Sequence, residues 1–262
     1  MSELTNKIAV IYGAGGEIGG AVARAFAREG ATLFLTGHRL APVAAVAKDI
    51  VSAGGAAEAA EVDALDEQAI DRHLQSVVAK AGRIDISFNA MGNSPSQYLG
   101  ASLVDIDLKQ FSMPITSYTT SFFLTARLAA RRMLPNKSGV IMTVTAPHAR
   151  IGTPNGGYGP SQAAKEALAR YLSAELAPQG IRVVSLRSFA MPETETIREI
   201  FGIRARKESV TWEQFTGYLA GSTHPRRAMT LAEMANVAAF VASDKASAMM
   251  ATVNLSMGTM DN

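Results

Sequence analysis

Tyr158 follows two glycines, Gly156 and Gly157, and precedes a long amphipathic pattern that predicts a helix from Gln162 to Leu176. A phenol at the start of a helix can donate or accept a proton, although a pKa near ~10 is poorly matched to work at pH 7 unless a neighbour lowers it. The segment is typical of an active-site helix. The residue four positions after the tyrosine, Gln162, carries no charge.

A second candidate site lies in the segment IAVIYGAGGEIGGAVARAFAREGA, which predicts a strand, a glycine-rich turn and a helix. Glycines let the backbone approach a pyrophosphate closely, and the free N–H groups at the start of the helix favour an anion. The stricter Gly-x-Gly-x-x-Gly pattern fails, because its last position is Ile18. The glycines at 13, 16 and 19 instead follow a Gly-x-x-Gly-x-x-Gly pattern. A tight turn without a ligand is the simpler alternative. We predict a dinucleotide site formed by Gly13, Gly15, Gly16, Ile18 and Gly19.

The end of the second predicted strand indicates which dinucleotide would bind. Proteins that prefer NAD usually carry an acid here to hold the ribose 2′-OH, whereas this chain has Gly37 followed by His38 and Arg39. A missing carboxylate and nearby cations favour a 2′-phosphate and therefore NADP(H) over NAD(H), unless the two residues simply begin a solvated helix. After the third strand, Asp63 could hydrogen-bond the adenine, and we include it with Ala64 in the predicted cofactor site.

Composition restricts the class of protein. The chain has 262 residues, 48% of them hydrophobic, a formal net charge of +2 and no cysteine. The absence of cysteine excludes disulfides, thiolate metal sites and cysteine nucleophiles, and it fits a cytoplasmic protein. Without a strongly basic run or a long apolar stretch, we expect no nucleic-acid partner, no membrane span and no metal. We expect one domain over residues 1–262.

Short apolar runs alternate with longer helix-period patterns along the chain. The runs KIAVIY, ATLFLT, AAEAAEV, IDISFNA, GVIMTVT, IRVVSL and ATVNLS predict strands. Helices are predicted at 18–28, 41–52, 67–81, 103–133, 162–176 and 231–242. This alternation predicts an α/β fold with a parallel sheet between two layers of helices. Residues 188–230 interrupt it at the carboxyl ends of the strands, where ligands bind, so we interpret them as a substrate lid.

Over nearly its whole length the chain resembles the short-chain dehydrogenase/reductase family. The glycine turn, DISFNAMG, GVIMTVTA and ATVNLSMG occur in the family's order, and ALARYLSAELAPQGIRV is the most specific segment. The resemblance implies a Rossmann-type doubly wound sheet of about seven strands, a nicotinamide cofactor, hydride transfer to or from a carbonyl or alcohol carbon, and a homotetramer or homodimer. It also implies cofactor contacts from Asn89, Ala90 and Met191.

The family's catalytic residues match this chain only in part. Its serine falls on Thr145, which keeps a hydroxyl to hold the substrate oxygen, and its tyrosine, the general acid for carbonyl reduction, falls on Tyr158. Its lysine falls on Gln162, and its helix asparagine falls on Tyr118, which we interpret as packing. The resemblance therefore implies Tyr158, Thr145 and Gln162 as the catalytic set. Further departures are Glu17 in the glycine turn, Ser188 and Phe189 in place of Pro-Gly, and Met257, Gly258 and Thr259 in place of Asp-Gly-Gly.

Replacing the lysine by Gln162 removes a charge but can preserve a hydrogen bond. A nearby ammonium lowers a tyrosine pKa by roughly one to three units. Because each unit corresponds to about 1.4 kcal/mol, an uncompensated loss slows catalysis by about 10- to 1,000-fold. Enoyl reductases related to this family use Tyr-x6-Lys, the spacing of Tyr158 and Lys165. Counting back from EALARYL places their lysine on Gln162 as well, so a catalytic Lys165 is the weaker alternative.

Three further residues near the ends of the fifth and sixth strands could replace the charge or donate a proton: His148, Arg150 and Arg187. The simpler interpretation makes each a solvated loop residue. In the predicted lid, apolar residues could line a pocket and basic residues could meet an acidic acyl carrier, although a solvated helix face explains the charges equally well.

The favoured hypothesis is an NADP(H)-dependent oxidoreductase acting on a carbonyl, alcohol or activated alkene. The alternative is a cofactor-binding protein of the same fold with little redox turnover, serving as a sensor or partner subunit, and it is supported by the missing lysine, asparagine and Pro-Gly. A lyase or dehalogenase on the same scaffold is a third possibility, because fold does not determine chemistry.

Overall fold

The computed structural model describes residues 2–99, 102–152 and 155–259, without the side chains of residues 97 and 207. Within these residues it contains seven strands: β1 (Ile8–Tyr12), β2 (Thr32–Gly37), β3 (Ala56–Glu61), β4 (Ile86–Asn89), β5 (Gly139–Thr145), β6 (Ile181–Ser188) and β7 (Ala251–Leu255). The same part of the chain contains eight α-helices: α1 (Glu17–Arg28), α2 (Leu40–Ser52), α3 (Glu67–Ala81), α4 (Leu108–Met133), α5 (Tyr158–Leu176), α6 (Glu195–Glu208), α7 (Trp212–Gly221) and α8 (Leu231–Ala242).

The strands form one parallel sheet in the order β3-β2-β1-β4-β5-β6-β7. The chain moves outward from β1 to β3 and then returns to the other side of β1 with β4. A crevice forms at such a reversal, outside the carboxyl ends of the strands, and this is where open α/β sheets bind ligands. The register pairs Tyr12 of β1 with Thr36 on one side and Asn89 on the other, so the glycine turn begins at this reversal.

Alternate residues of each central strand enter different hydrophobic cores, because successive side chains point to opposite faces. Ala9 and Ile11 pack with residues of α1, α2 and α8 on one face, and Val10 and Tyr12 pack with residues of α3, α4 and α5 on the other. Helices therefore cover both faces. The sequence prediction of a Rossmann-type doubly wound parallel sheet is confirmed, including all seven strands.

Two helix starts differ from the sequence prediction by more than one residue. The helix predicted from residue 103 begins at Leu108, because the Asp107 carboxylate accepts a hydrogen bond from the Gln110 N–H at 2.8 Å and caps the helix there. The helix predicted from Gln162 begins four residues earlier, at Tyr158. Tyr158 is therefore part of α5, and its position is fixed by a helix packed on the sheet rather than by a loop.

Residues 188–230 contain α6 and α7, which begin at the capping residues Thr194 and Thr211. The two helices pack through an aromatic cluster in which Phe201 contacts Trp212 and Phe215, with ring centres 5.1 and 5.7 Å apart. Both helices contribute residues to the cavity described below. Their role as a lid over a substrate stays a prediction.

Candidate active site

A cavity of about 1070 Å³ opens at the carboxyl ends of the strands. It extends from the glycine turn to α6 and α7, which is enough room for a dinucleotide together with a small substrate. Its walls include most of the residues predicted from the sequence, namely Gly13, Gly15, Gly16, Ile18, Gly19, His38, Arg39, Asp63, Ala64, Ala90, Thr145, Tyr158, Gln162 and Met191.

Asn89 is the predicted cofactor residue that does not line this cavity. It is buried, and its Nδ2 donates to Ser121 Oγ at 2.8 Å and to Thr125 Oγ1 at 3.0 Å on α4. Its Oδ1 accepts from the Met91 N–H at 3.2 Å. The Asn89 side chain therefore holds α4 and the loop after β4, and its neighbour Ala90 lies in the cavity wall. A cofactor contact from Asn89 stays a prediction.

The glycine turn has the close backbone packing of an anion cradle. Gly13 has φ of 74°, and a Cβ on it would lie 2.8 Å from the Ala90 carbonyl oxygen. A Cβ on Gly19 would lie 2.3 Å from the Gly13 carbonyl oxygen. Gly16 precedes α1 and has no side chain to cap the helix, so the first N–H groups remain available to an anion. These features fit the pyrophosphate of a dinucleotide.

Glu17, the first residue of α1, links this turn to the predicted lid. Its carboxylate accepts hydrogen bonds from the backbone N–H of Glu195 at 2.8 and 3.0 Å, at the start of α6. The departure from glycine at this position therefore has a structural role, because it attaches α6 to the turn. No pattern along the chain indicates that contact.

The end of β2 has little room for the acid that typically marks an NAD site. A Cβ on Gly37 would lie 2.8 Å from Val43 Cγ2, so any larger residue would displace Val43. His38 and Arg39 are exposed at this end of the cavity. A carboxylate is nonetheless close by, because Glu61 of β3 pairs in register with Gly37 and accepts a hydrogen bond from the Leu40 N–H at 3.1 Å.

Thr145, at the end of β5, belongs to a buried polar group of three residues. Its Oγ1 donates to Glu166 Oε1 at 3.0 Å. Arg187, on β6, holds the same carboxylate through Nε at 2.7 Å and Nη2 at 2.5 Å. All three residues are at most 5% exposed. The interpretation of Arg187 as a solvated loop residue is therefore wrong: it lies in a strand and neutralises Glu166.

Tyr158 lies among aromatic side chains. Its ring stacks on Tyr98 with the centres 5.3 Å apart, and the edges of Tyr118 and His148 approach it at 5.9 and 5.5 Å. Burial, with a smaller contribution from Tyr118, raises the pKa of Tyr158 above its usual value. Among the described residues no cation offsets this rise, so the phenol stays protonated at neutral pH.

Gln162 is buried one helical turn after Tyr158 and lines the cavity. Its Nε2 donates to Ser161 Oγ at 3.2 Å. The side chain is thus placed where it could hydrogen-bond a ligand, and it brings no charge to the phenol.

Lys165 also lines the cavity and is only 2% exposed. Its Nζ donates to the Val144 carbonyl oxygen at 2.7 Å and lies 5.4 Å from the centre of the Tyr118 ring. Burial lowers the pKa of Lys165 to about 7. The amine is therefore only partly charged near neutral pH, and its contacts are with β5 and Tyr118 rather than with Tyr158.

His148 and Arg150 follow β5 but differ in their surroundings. Arg150 is exposed, as the sequence interpretation had it. His148 is partly buried in the cavity wall, and its Nδ1 is buried without a hydrogen-bond partner among the described residues, so the solvated-loop interpretation is wrong for it. Burial, with a smaller contribution from the Arg204 cation, lowers the pKa of His148 to about 4. It is neutral at pH 7.

Sequence reasoning missed Tyr98 and Glu166 and assigned Tyr118 to packing alone. Tyr118 is buried and lines the cavity, and its hydroxyl oxygen accepts from the Asn93 N–H at 3.0 Å. A usable signal existed for Glu166, because an acid among apolar residues of a buried helix face requires a partner. No comparable signal existed for Tyr98, which lies in a loop.

The chain is similar to known proteins over most of its length. Residues 13–256 match the family model described as enoyl-(acyl carrier protein) reductase. The chain is 29% identical over 251 residues to short chain aldehyde dehydrogenase 1 of Euphorbia lathyris, covering 93% of this chain and 84% of that protein. It is 31% identical over 181 residues to 7alpha-hydroxysteroid dehydrogenase of Escherichia coli strain K12, covering 69% of each.

Solved structures extend the agreement to the fold. NAD+-bound xylitol dehydrogenase superimposes with a TM-score of 0.89 at 27% identity, covering 97% of this chain and 98% of that one. Actinorhodin polyketide ketoreductase, solved with NADPH, shares the fold with a TM-score of 0.89 at 20% identity. The fold and the cavity thus define a nicotinamide-dependent oxidoreductase of Rossmann type. The chain belongs to the short-chain dehydrogenase/reductase family.

In the described part of the chain, no helix has both the length and the apolar character needed to span a membrane. The same residues contain no cluster of three or more acids or histidines arranged to hold a metal ion.

Proposed function

We propose that this protein is an NADP(H)-dependent oxidoreductase that transfers hydride to or from a carbonyl or alcohol carbon, with an activated alkene as the other acceptor class. The observation that carries the proposal is that Thr145, Tyr158 and Gln162 line the same cavity as the glycine turn. A phenol, a second hydroxyl and a pyrophosphate cradle at one reversal of the sheet are the parts this chemistry requires.

In this proposal each residue has a definite task. A nicotinamide cofactor held by the glycine turn would supply or receive the hydride. Tyr158 exchanges a proton with the substrate oxygen, Thr145 fixes the position of that oxygen, and Gln162 offers its amide as a hydrogen-bonding group for the cofactor. The cavity wall from α6 and α7 combines apolar side chains with Arg204 and the carboxylates of Glu195, Glu199 and Glu208. It suits a substrate with an apolar body and does not favour an anionic end.

We expect NADPH to bind more tightly than NADH, because Arg39 and His38 can meet a 2′-phosphate and no acid occupies position 37. A charge-assisted hydrogen bond contributes about 1.5 to 3 kcal/mol, which corresponds to roughly 10- to 100-fold in affinity. Arg39→Ala should lower NADPH affinity by about that factor and leave NADH unchanged. Fluorescence titration with both cofactors measures this.

Arg28→Ala is the matched control, because Arg28 is exposed at the far end of α1. It should leave both affinities unchanged. Tighter binding of NADH by the wild-type protein would refute the NADP(H) assignment. It would point to Glu61 as the acid that hydrogen-bonds the ribose 2′-OH.

A cofactor-binding protein with little turnover remains the second candidate. The observation that favours it is the raised pKa of Tyr158 with no cation to counteract it. Following NADPH oxidation at 340 nm over a set of ketones, enones and acyl thioesters separates the two. Tight NADPH binding with no oxidation across all three substrate classes would favour the second candidate.

We further propose a cytoplasmic homotetramer or homodimer. The lack of cysteine fits the compartment, and the long helices α4 and α5 expose apolar rings at Phe123 and Tyr171, which are 40% and 77% exposed. Burying such rings between subunits is favourable. Light scattering at micromolar concentration should give a mass at least twice that of the 27.6 kDa chain. A stable monomer would contradict the proposal.

A further inference from the structure

The hydrogen bond of Thr145 determines what its hydroxyl can offer to the cavity. A threonine hydroxyl has one hydrogen and two lone pairs, whereas an ionised carboxylate can only accept. Because Thr145 Oγ1 lies 3.0 Å from Glu166 Oε1, the threonine must be the donor in this pair. Its hydrogen is directed at Glu166, and only lone pairs remain for a ligand in the cavity.

Arg187 keeps Glu166 in this accepting role. Its guanidinium contacts both carboxylate oxygens, at 2.7 and 2.5 Å, and the ion pair is almost completely buried. Hydrogen bonds to an ionised acceptor are roughly twice as strong as neutral ones. Turning the Thr145 hydrogen toward a ligand carbonyl would exchange a charge-assisted bond for a neutral one, so the donor direction is held.

The other hydroxyl at the site has the opposite character. Tyr158 stays protonated at neutral pH and can donate its hydrogen to a ligand oxygen. The two hydroxyls assigned to the substrate oxygen therefore present it with one donor, from Tyr158, and one acceptor, from Thr145. An alcohol O–H matches this pair because it both accepts and donates. A carbonyl oxygen only accepts, so it would meet the Thr145 lone pairs without a hydrogen between them.

We propose that the buried Glu166–Arg187 pair holds Thr145 as a hydrogen-bond acceptor, and that the site consequently binds a hydroxyl compound more tightly than the ketone of the same skeleton. Glu166 and Arg187 are positioning residues, because they act on the ligand only through Thr145. The inference rests on the proposed function in that it assigns the substrate oxygen to Thr145 and Tyr158, and it adds the form of substrate that the site selects.

Two ligand pairs test the preference: 1-tetralol with 1-tetralone, and cyclohexanol with cyclohexanone. Binding is measured by ligand-observed NMR on the full chain without cofactor, so that no hydride can interconvert the two members of a pair. We expect the alcohol to bind about tenfold more tightly than its ketone, the effect of roughly one net hydrogen bond. Equal affinities, tighter ketone binding, or no binding of either member of both pairs would overturn the proposal.

Three variants test whether the buried group of Thr145, Glu166 and Arg187 causes the preference for the alcohol. Glu166→Met with Arg187→Met removes the acceptor without leaving an unpaired buried charge, a type of exchange that proteins often tolerate. The double variant frees the Thr145 hydrogen to point into the cavity. The ratio of alcohol affinity to ketone affinity should therefore fall from about ten to about one or below. Thr145→Val should also abolish the preference, and Thr145→Ser should keep it. A double variant that folds and retains the tenfold preference would overturn the role of Glu166 and Arg187.

A second measurement is independent of folding and of ligand choice. Neutron diffraction from deuterated wild-type crystals should place the deuterium of Thr145 Oγ1 on the line to Glu166 Oε1, and a deuterium directed into the cavity would overturn the proposal. Failure of the proposed function gives a different pattern: no NADPH oxidation over the substrate screen, with the alcohol preference intact.

Discussion

Tyr158→Phe should lower kcat/KM for the reductase reaction by about 10²- to 10⁴-fold, the usual contribution of a positioned general acid. It should change the Kd for NADPH by less than about twofold. The hydroxyl is the proposed proton donor, whereas the ring packs flat against Tyr98 and edge-on against Tyr118, and phenylalanine keeps both contacts. Steady-state kinetics with the best substrate from the screen, together with cofactor titration, separates the two effects.

Tyr171→Phe is the control for this variant, because Tyr171 lies on the same helix outside the cavity wall, and phenylalanine keeps the ring that the proposed subunit contact would bury. It should behave as wild type. If Tyr158→Phe turned over at the wild-type rate, the acid would have to be sought elsewhere, first at His148, whose pKa of about 4 makes it a poor proton donor at pH 7. His148→Asn would then test that residue.

Gln162→Lys should raise kcat/KM near neutral pH by about tenfold for each pKa unit by which it lowers the pKa of Tyr158, and roughly 10- to 1,000-fold in all. Position 162 lies one turn after Tyr158 in the cavity wall, so an ammonium there can act directly on the phenol. The phenol must be protonated to donate. Lowering its pKa therefore speeds proton transfer but moves the loss of activity at high pH to a lower pH.

Lys165→Met should leave kcat/KM nearly unchanged, because the Lys165 amine contacts Val144 and Tyr118. If its charge did assist Tyr158, wild-type activity would decline as the pH rises through about 7, where Lys165 loses its proton. Profiles of kcat/KM from pH 5 to 10 for both variants distinguish these cases. Gln162→Met is the size-matched control without charge. Unchanged activity for Gln162→Lys together with a large loss for Lys165→Met would refute the hypothesis that Tyr158 lacks a compensating charge.

The fold was predictable because its signals are local. Each central strand is a short apolar run whose two faces are both buried, and glycine closes several of the connecting turns, so the alternation of strands and helices can be read within windows of a few residues. The glycine turn was predictable for the same reason, since strand, turn and helix adjoin in the chain. The start of α4 was misplaced because a continuing apolar pattern concealed the capping role of Asp107.

Position along the chain also placed Thr145, Tyr158 and Gln162 in one cavity, because the ends of parallel strands meet at one edge of the sheet and α5 follows β5 directly. It did not determine their partners. Glu166 is 21 residues from both Thr145 and Arg187, and the three meet only because α5 packs across β5 and β6. The same packing directs Lys165 to Val144, although its Tyr-x6-Lys spacing had left a catalytic role as the weaker alternative.

The sequence by itself therefore determined the parallel sheet, the dinucleotide turn and the identity of the hydroxyl residues, since these follow from patterns within one strand or helix. Only the tertiary structure decided the charge and hydrogen-bonding state of the site. Burial raises the pKa of Tyr158 and lowers those of Lys165 and His148, and the Glu166–Arg187 pair sets the direction of the Thr145 hydrogen. Desolvation and pairing depend on which distant segments surround a group, and no pattern along the chain encodes them.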